Sequence, residues 1–258
     1  MPDSGHAINV QNLKKARDIA VAWGPTKYNP SHPDLKILSL TSQITAAEAA
    51  LDAVQTAETP WRNATSAAED AFAGLSSLVR RVERSAKASG LAPSFLEDLA
   101  APARKVKGQR ATPKKPVDNG DGTTPPADGG GTDGGGTPGG AGTGSASQMS
   151  RQQRIEHFDE MIGLLQSQAG YAPNETELTV AELQAQSTAL QTLVDDVSAK
   201  LAPLNEKRNQ RNSVLYADGT NVVNTGRLFK AYVQSAFGLK SPEWNQVKNL
   251  KFTDKTGS

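Results

Sequence analysis

YNPSHPDLKILSLTSQITAAEAALDAVQTAETP, residues 28–60, has a near-echo later in the chain: YAPNETELTVAELQAQSTALQTLVDDVSAKLAP, residues 171–203. Laid over one another without gaps at a constant offset of 143, the two stretches agree at ten of 33 positions, from Tyr28/Tyr171 and Pro30/Pro173 to Pro60/Pro203. Chance pairing gives about two, so the spacing marks an internal repeat. Beyond the prolines the register slips by five residues through the longer connection YADGTN (216–221), and SGLAPSFLEDL (89–99) then matches FGLKSPEWNQV (237–247) in kind.

Periodicity within the repeat is helical. From Leu40 the sequence steps 4-3-4-3 through Ile44, Ala47, Leu51, Val54, Glu58, Trp61, Thr65, Ala68, Phe72 and Leu75, a heptad with polar lapses at Glu58 and Thr65. Leu190, Val194, Val197, Leu201 and Leu204 keep the same register in the second copy. Two long amphipathic helices of about 40 residues are expected, packed in a left-handed, coiled-coil-like or bundle arrangement. Shorter helices flank each one: Ile8 to Trp23 and Met149 to Gln168 before, the Leu75–Ala86 and Leu228–Phe237 stripes after. Asn174 with Glu177 resembles a capping box. Pro60 and Pro203 each remove one backbone hydrogen bond inside the long helix, so a shared kink is predicted. Thr59 offers a cap for a fresh helix at Pro60, but Ala202 offers none at Pro203.

Between the copies the composition changes. Twelve of the 23 glycines lie between Gly120 and Gly144, and GGGTDGGGTPGG (129–140) is its densest part. A tract with so little to bury cannot offset its ordering entropy, so residues 108–147 read as a disordered tether between unit 1–107 and unit 148–258. Ligand readings of the tract fail on chemistry. No lysine follows the glycines as a phosphate loop requires, and the EF-hand-like VDNGDGTTPPAD puts Val117 at the first ligand position.

The whole chain excludes several classes. With 258 residues, 36% apolar, 21% charged and a formal net charge of +1, no global field directs it to nucleic acid or an anionic surface. The absence of cysteine removes disulfides, thiolate nucleophiles and the common zinc sites. The amino-terminal residues carry no apolar run of signal type, and no stretch approaches the roughly 18 apolar residues of a membrane span, so a cytoplasmic protein is expected.

Reactive constellations are sparse. His6 falls in a terminus expected to fray, His32 in the turn SHPD, and His157 pairs with Glu160 at i, i+3, which offers a metal two ligands at most. Asp52 and Asp195 recur at equivalent positions and are expected to face solvent or a neighbouring helix end. Tyr28, Tyr171, Trp61 and Trp244 read as packing residues. The sharpest charge feature is ARKVKGQRATPKK (103–115), with Arg104, Lys105, Lys107, Arg110, Lys114 and Lys115 leading into the tether. Such a segment suits a polyanion, nucleic acid or an anionic surface, without aromatics for base stacking.

The segments KYNPSHPDLKILSL, KVKGQRATPKK, SQMSRQQRIEHFDEMIGLL, YAPNETELTVAEL and KAYVQSAFGLKSPEWNQVKNLKF resemble a group of Bacteroidetes hypothetical proteins with two helical units around a variable spacer. The resemblance implies a bacterial, cytoplasmic setting and brings no activity, ligand or site residue. The sequence thus predicts an all-α protein of two homologous units that pair within the chain, compatible with homo-oligomers. Its expected role is a non-enzymatic structural or adaptor protein with a protein partner and neither metal nor cofactor. The alternatives are polyanion association through 104–115 and a small-molecule-binding helical bundle.

Overall fold

The computed structural model describes residues 5–109 and 150–254, and among these every regular element is helical. Helix α1 spans Gly5–Lys27, α2 Ile37–Ala88, α3 Pro93–Val106, α4 Arg151–Gln166, α5 Val180–Tyr216, α6 Val222–Phe237 and α7 Pro242–Val247. Single 3₁₀ turns at Pro33–Leu35 and Thr176–Leu178 lead into α2 and α5. Of the tether expected at 108–147, all but Gly108 and Gln109 lie outside the described residues.

The chain forms two compact units, cut differently from the halves 1–107 and 148–258. Unit 1 combines Met1–Thr65 with Asp196–Ser258, and unit 2 is Ser66–Asp195. Each unit therefore draws on both halves of the sequence, and α2 and α5 each contribute residues to both.

In unit 1, α1 packs on α6, which also contacts α7 and the Pro33–Leu35 turn. Val10, Leu13, Leu40, Ile44, Phe229 and Val247 lie in one buried cluster. Trp23, Tyr28, Phe229, Tyr232 and Phe237 form a chain of ring contacts with centroids 5.3–6.5 Å apart. The α1 backbone is broken at Gly24 (φ 75°, ψ 167°), a left-handed φ that glycine adopts without a Cβ penalty, and Pro25 follows as a stop signal. In unit 2, α3 packs on α4, and Phe72, Leu75, Val79, Leu99, Phe158 and Leu183 share the core.

Two sequence expectations are corrected. The stripe Leu75–Ala86 is no separate helix: it continues α2, which runs unbroken for 52 residues. In the other half the five-residue slip opens the connection, where Gly219 takes φ 91° and Asn221 caps α6 by accepting from Asn224 N at 2.8 Å. The cap of α5 is not Asn174. A 3₁₀ turn intervenes, and Thr179 Oγ1 accepts from Glu182 N (3.4 Å), a capping arrangement five residues later. Helical backbone runs through both Pro60 and Pro203, whose rings are exposed, and the Thr59 hydroxyl bonds back to Gln55 O (3.3 Å) instead of capping a new helix.

The heptad stripe is buried at its ends and half-buried in its middle. Leu40, Ile44 and Ala47 are buried, as are Ala68, Phe72 and Leu75, whereas Leu51, Val54, Trp61 and Thr65 are only partly covered.

Candidate functional site

Of the six cations of the basic segment, Arg104, Lys105 and Lys107 lie within the described residues. These three lie at the end of α3, where positive charge complements the helix C-terminus. The Lys107 ammonium donates to both carboxylate oxygens of Glu83, at 2.9 and 2.7 Å, with its side chain 11% exposed. Arg104 and Lys105 are half-buried. Arg110, Lys114 and Lys115 lie outside the described residues.

His157 Nδ1 sits 3.4 Å from Glu160 Oε2, and no group of three metal-ligating side chains occurs among the described residues. Asp52 and Asp195 are exposed and belong to different compact units, and Asp195 accepts from Gln191 at 2.9 Å. His6 is not in a frayed end: it lies in the first turn of α1, with Nδ1 2.6 Å from the Tyr216 hydroxyl. Tyr28 and Tyr171 are buried, and each donates its hydroxyl to the carbonyl seven residues ahead, Leu35 O at 2.5 Å and Leu178 O at 2.8 Å. Burial pushes both hydroxyls above the ordinary tyrosine range.

The most convergent polar geometry lies in unit 1, between α1 and α6. Asn9 and Asn12 are i, i+3 neighbours on α1, and Arg227 and Lys230 are i, i+3 neighbours on α6, so each pair projects from one helix face. Between them runs the chain beyond α7. Lys230 Nζ donates to Lys248 O and Leu250 O, both at 2.9 Å, and Asn12 Nδ2 donates to Lys251 O at 2.8 Å. Arg227 donates to Phe252 O at 3.3 Å and to the Asp254 carboxylate at 2.7 Å. Asn9 donates to Thr253 O (2.9 Å) and accepts from Thr253 N (3.1 Å).

Its amide thus supplies the donor and acceptor that a neighbouring strand residue would. Asn9 is fully buried, so these partners are obligatory. Side chains alternate along this run as in a half-buried strand: Leu250 and Phe252 face the core, Lys251 and Thr253 face out. Phe252 lies against the α6 backbone at Gly226, where an added Cβ would come within 2.3 Å of the ring. Lys230 also lies 5.8 Å from the Trp244 ring centroid, and burial lowers its pKa.

Unit 2 solves a related problem with one residue. Arg154 on α4 donates to Val106 O (3.0 Å), the last residue of α3, and to Phe72 O (3.4 Å), with its guanidinium 5.2 Å from the Phe72 ring centroid. An open cleft of about 520 Å³ in the same unit is lined by Arg81, Arg84, Ser85, Ser89, Asn174 and Glu175 among others. Arg81 is paired with Glu177 at 2.5 Å, and the remaining charges nearly balance. In unit 1 a smaller apolar pocket of about 250 Å³ is lined by Ala20, Val21, Gly24, Pro25, Tyr28 and Ile37.

Sequence reasoning missed Asn9, Asn12, Arg227, Lys230 and Arg154. The available signal was an asparagine set beside Val10 and Leu13 in an apolar stripe, which requires a buried partner. No family model, curated protein or solved structure matches the chain. Among the described residues no helix is long and apolar enough to cross a membrane.

Proposed function

We propose that this protein is a non-enzymatic adaptor that presents unit 1 to a protein partner, in the bacterial cytoplasmic setting expected from the sequence. One observation carries the reading. Of the described residues, the five strongly exposed large apolar side chains, Ile8, Val21, Leu38, Leu228 and Leu239, all belong to unit 1. Leu38 is 82% exposed, beside Ile37, and Val21 is 53% exposed. Ile37 and Val21 both line the apolar pocket. Exposed leucines scattered singly are ordinary, so the reading rests on all five falling in one unit and on Val21 opening onto its apolar pocket. Covering Leu38 would contribute up to about 1.5–3 kcal/mol, and the half-exposed Val21 about half as much.

Two copies of one helical unit, with their later parts exchanged, underlie this architecture in our reading. Support comes from the ten identities at an offset of 143 and from the matching Tyr28 and Tyr171 bonds. Asn9 and Arg154, each one residue ahead of a buried aliphatic residue, also hold carbonyls at the end of the other copy, Thr253 O beyond α7 and Val106 O at the end of α3. On this reading the two halves pair within the chain. The polyanion alternative gains no observation of its own, since Lys107 is spent on Glu83.

The test is affinity purification of the tagged full chain from nuclease-treated extract, beside a Val21→Glu/Leu38→Glu variant of matched helicity. A stoichiometric protein captured by the wild type and lost by the variant is expected. Capture unchanged by the variant, or only nuclease-sensitive material, overturns the reading.

A further inference from the structure

We propose that the α1–α6 groove of unit 1 is a recognition site for an extended peptide of the form apolar-x-apolar-x-acidic, occupied in cis by Leu250-Lys251-Phe252-Thr253-Asp254. The inference goes beyond the adaptor reading and does not depend on the Val21–Leu38 surface having a partner. Three observations carry it. First, the groove grips main chain: Lys230, Asn12, Arg227 and Asn9 together hold the carbonyls of Lys248, Leu250, Lys251, Phe252 and Thr253, and Asn9 also takes the Thr253 N–H. Groups that bind backbone accept any extended segment, which is the logic of strand-addition recognition.

Second, specificity is confined to three positions. Leu250 and Phe252 fill apolar sites two residues apart, the second floored by Gly226, and Arg227 takes the Asp254 carboxylate. Third, beyond Leu250 the occupant's main chain is held by side chains alone among the described residues. Leu250 N donates to Val247 O at 3.0 Å, and beyond it residues 251–254 make no bond to other backbone among the described residues. Its release therefore breaks no helix, and a segment of the same chemistry from another protein would meet a preformed ladder.

The experiment uses the full chain and a fluorescein-labelled peptide of residues 246–254, QVKNLKFTD. In polarisation titrations a Leu250→Ser/Phe252→Ser variant, with its own segment weakened, is expected to bind the peptide at least ten-fold more tightly than wild type does. A peptide carrying the same two serines is expected not to bind. Equal binding by both proteins, or of both peptides, overturns the proposal. Should the double variant lose its helical CD, the wild type decides by amide exchange. Exchange at Thr253 N is expected to rise with added peptide, which takes the groove in place of the cis segment, while Phe229 and Val233 amides stay unchanged. No dependence on peptide overturns the proposal.

Discussion

Gly226→Ala sets two ordinary effects against each other at one atom. In a helix interior the change from glycine to alanine is stabilising by about 1 kcal/mol. Here the new methyl would stand 2.3 Å from Cδ1 and Cε1 of Phe252, more than 1 Å inside normal carbon contact. Overpacking of that kind costs about 1–3 kcal/mol. The alternative is to expel Phe252, which is 8% exposed, and forfeit about 1.5–3 kcal/mol of burial. The net loss is about 0–2 kcal/mol if the ring is crowded and about 0.5–2 kcal/mol if it is expelled. With Phe252→Ala in place the clash partner is gone, and the same substitution becomes neutral or stabilising by up to about 1 kcal/mol. All three tryptophans, Trp23, Trp61 and Trp244, belong to unit 1, so tryptophan fluorescence during urea unfolding reads this unit directly. A slope of about 1–2 kcal/mol/M turns a 1 kcal/mol change into a midpoint shift of about 0.5–1 M. Substitution effects of the same sign in both backgrounds would refute the packing argument.

Arg154→Met leaves Val106 O without its donor and is expected to destabilise unit 2 by about 1.5–3 kcal/mol. Far-UV CD and faster exchange of α3 amides should register this, with no earlier change in tryptophan fluorescence. Lys27, bonded to Glu243 at 2.5 Å, holds that carboxyl below its usual 4.5. The pair's stabilisation is therefore complete above about pH 4.5 and is lost as pH falls through the lowered value. Glu243→Gln should melt below wild type at pH 7, and melting curves taken down to pH 3 should show the gap closing. A protease site placed within 110–149 and cut should leave two fragments that co-elute at micromolar concentration, because each compact unit takes residues from both sides of the cut. Fragments that separate without denaturant would contradict that division.

The helical class was legible because the 4-3 stripe is buried where it meets a core, at Leu40–Ala47 and at Ala68–Leu75. Its middle was not: Val54 and Trp61 keep the spacing but are only half-covered, and periodicity counts residue types rather than neighbours. The slip of five residues was visible, yet its outcome was not, since one helix of 52 residues and two helices with a turn carry the same apolar pattern. The site was the least legible part. Asn9 acts on Thr253, 244 residues away, and nothing near Asn9 in sequence names that partner. Lys107 read as a free cation because Glu83 stands 24 residues earlier, in a segment read as a separate helix. Solvent, one of the two placements expected for Asp52 and Asp195, is where they lie, because their positions follow from the stripe alone.

The division of the chain also imposes an order on biosynthesis. Unit 2 is a continuous segment whose last residue is Asp195, whereas unit 1 must wait for Asp196 onward to join its first 65 residues. At about 5–20 residues per second, synthesis through Asp254 takes roughly 3–12 s more. During that interval the ribosome holds a chain in which unit 2 is complete while α1 and the start of α2 carry an apolar face with no partner. Before Thr253 is made, the Asn9 amide has only the long 3.4 Å bond to the Tyr216 hydroxyl and no donor for its oxygen, and an unpaired buried group costs about 1–3 kcal/mol. Closure of unit 1 thus registers that translation has proceeded through residue 253, and prematurely terminated products are expected to stay open and to be cleared by proteolysis.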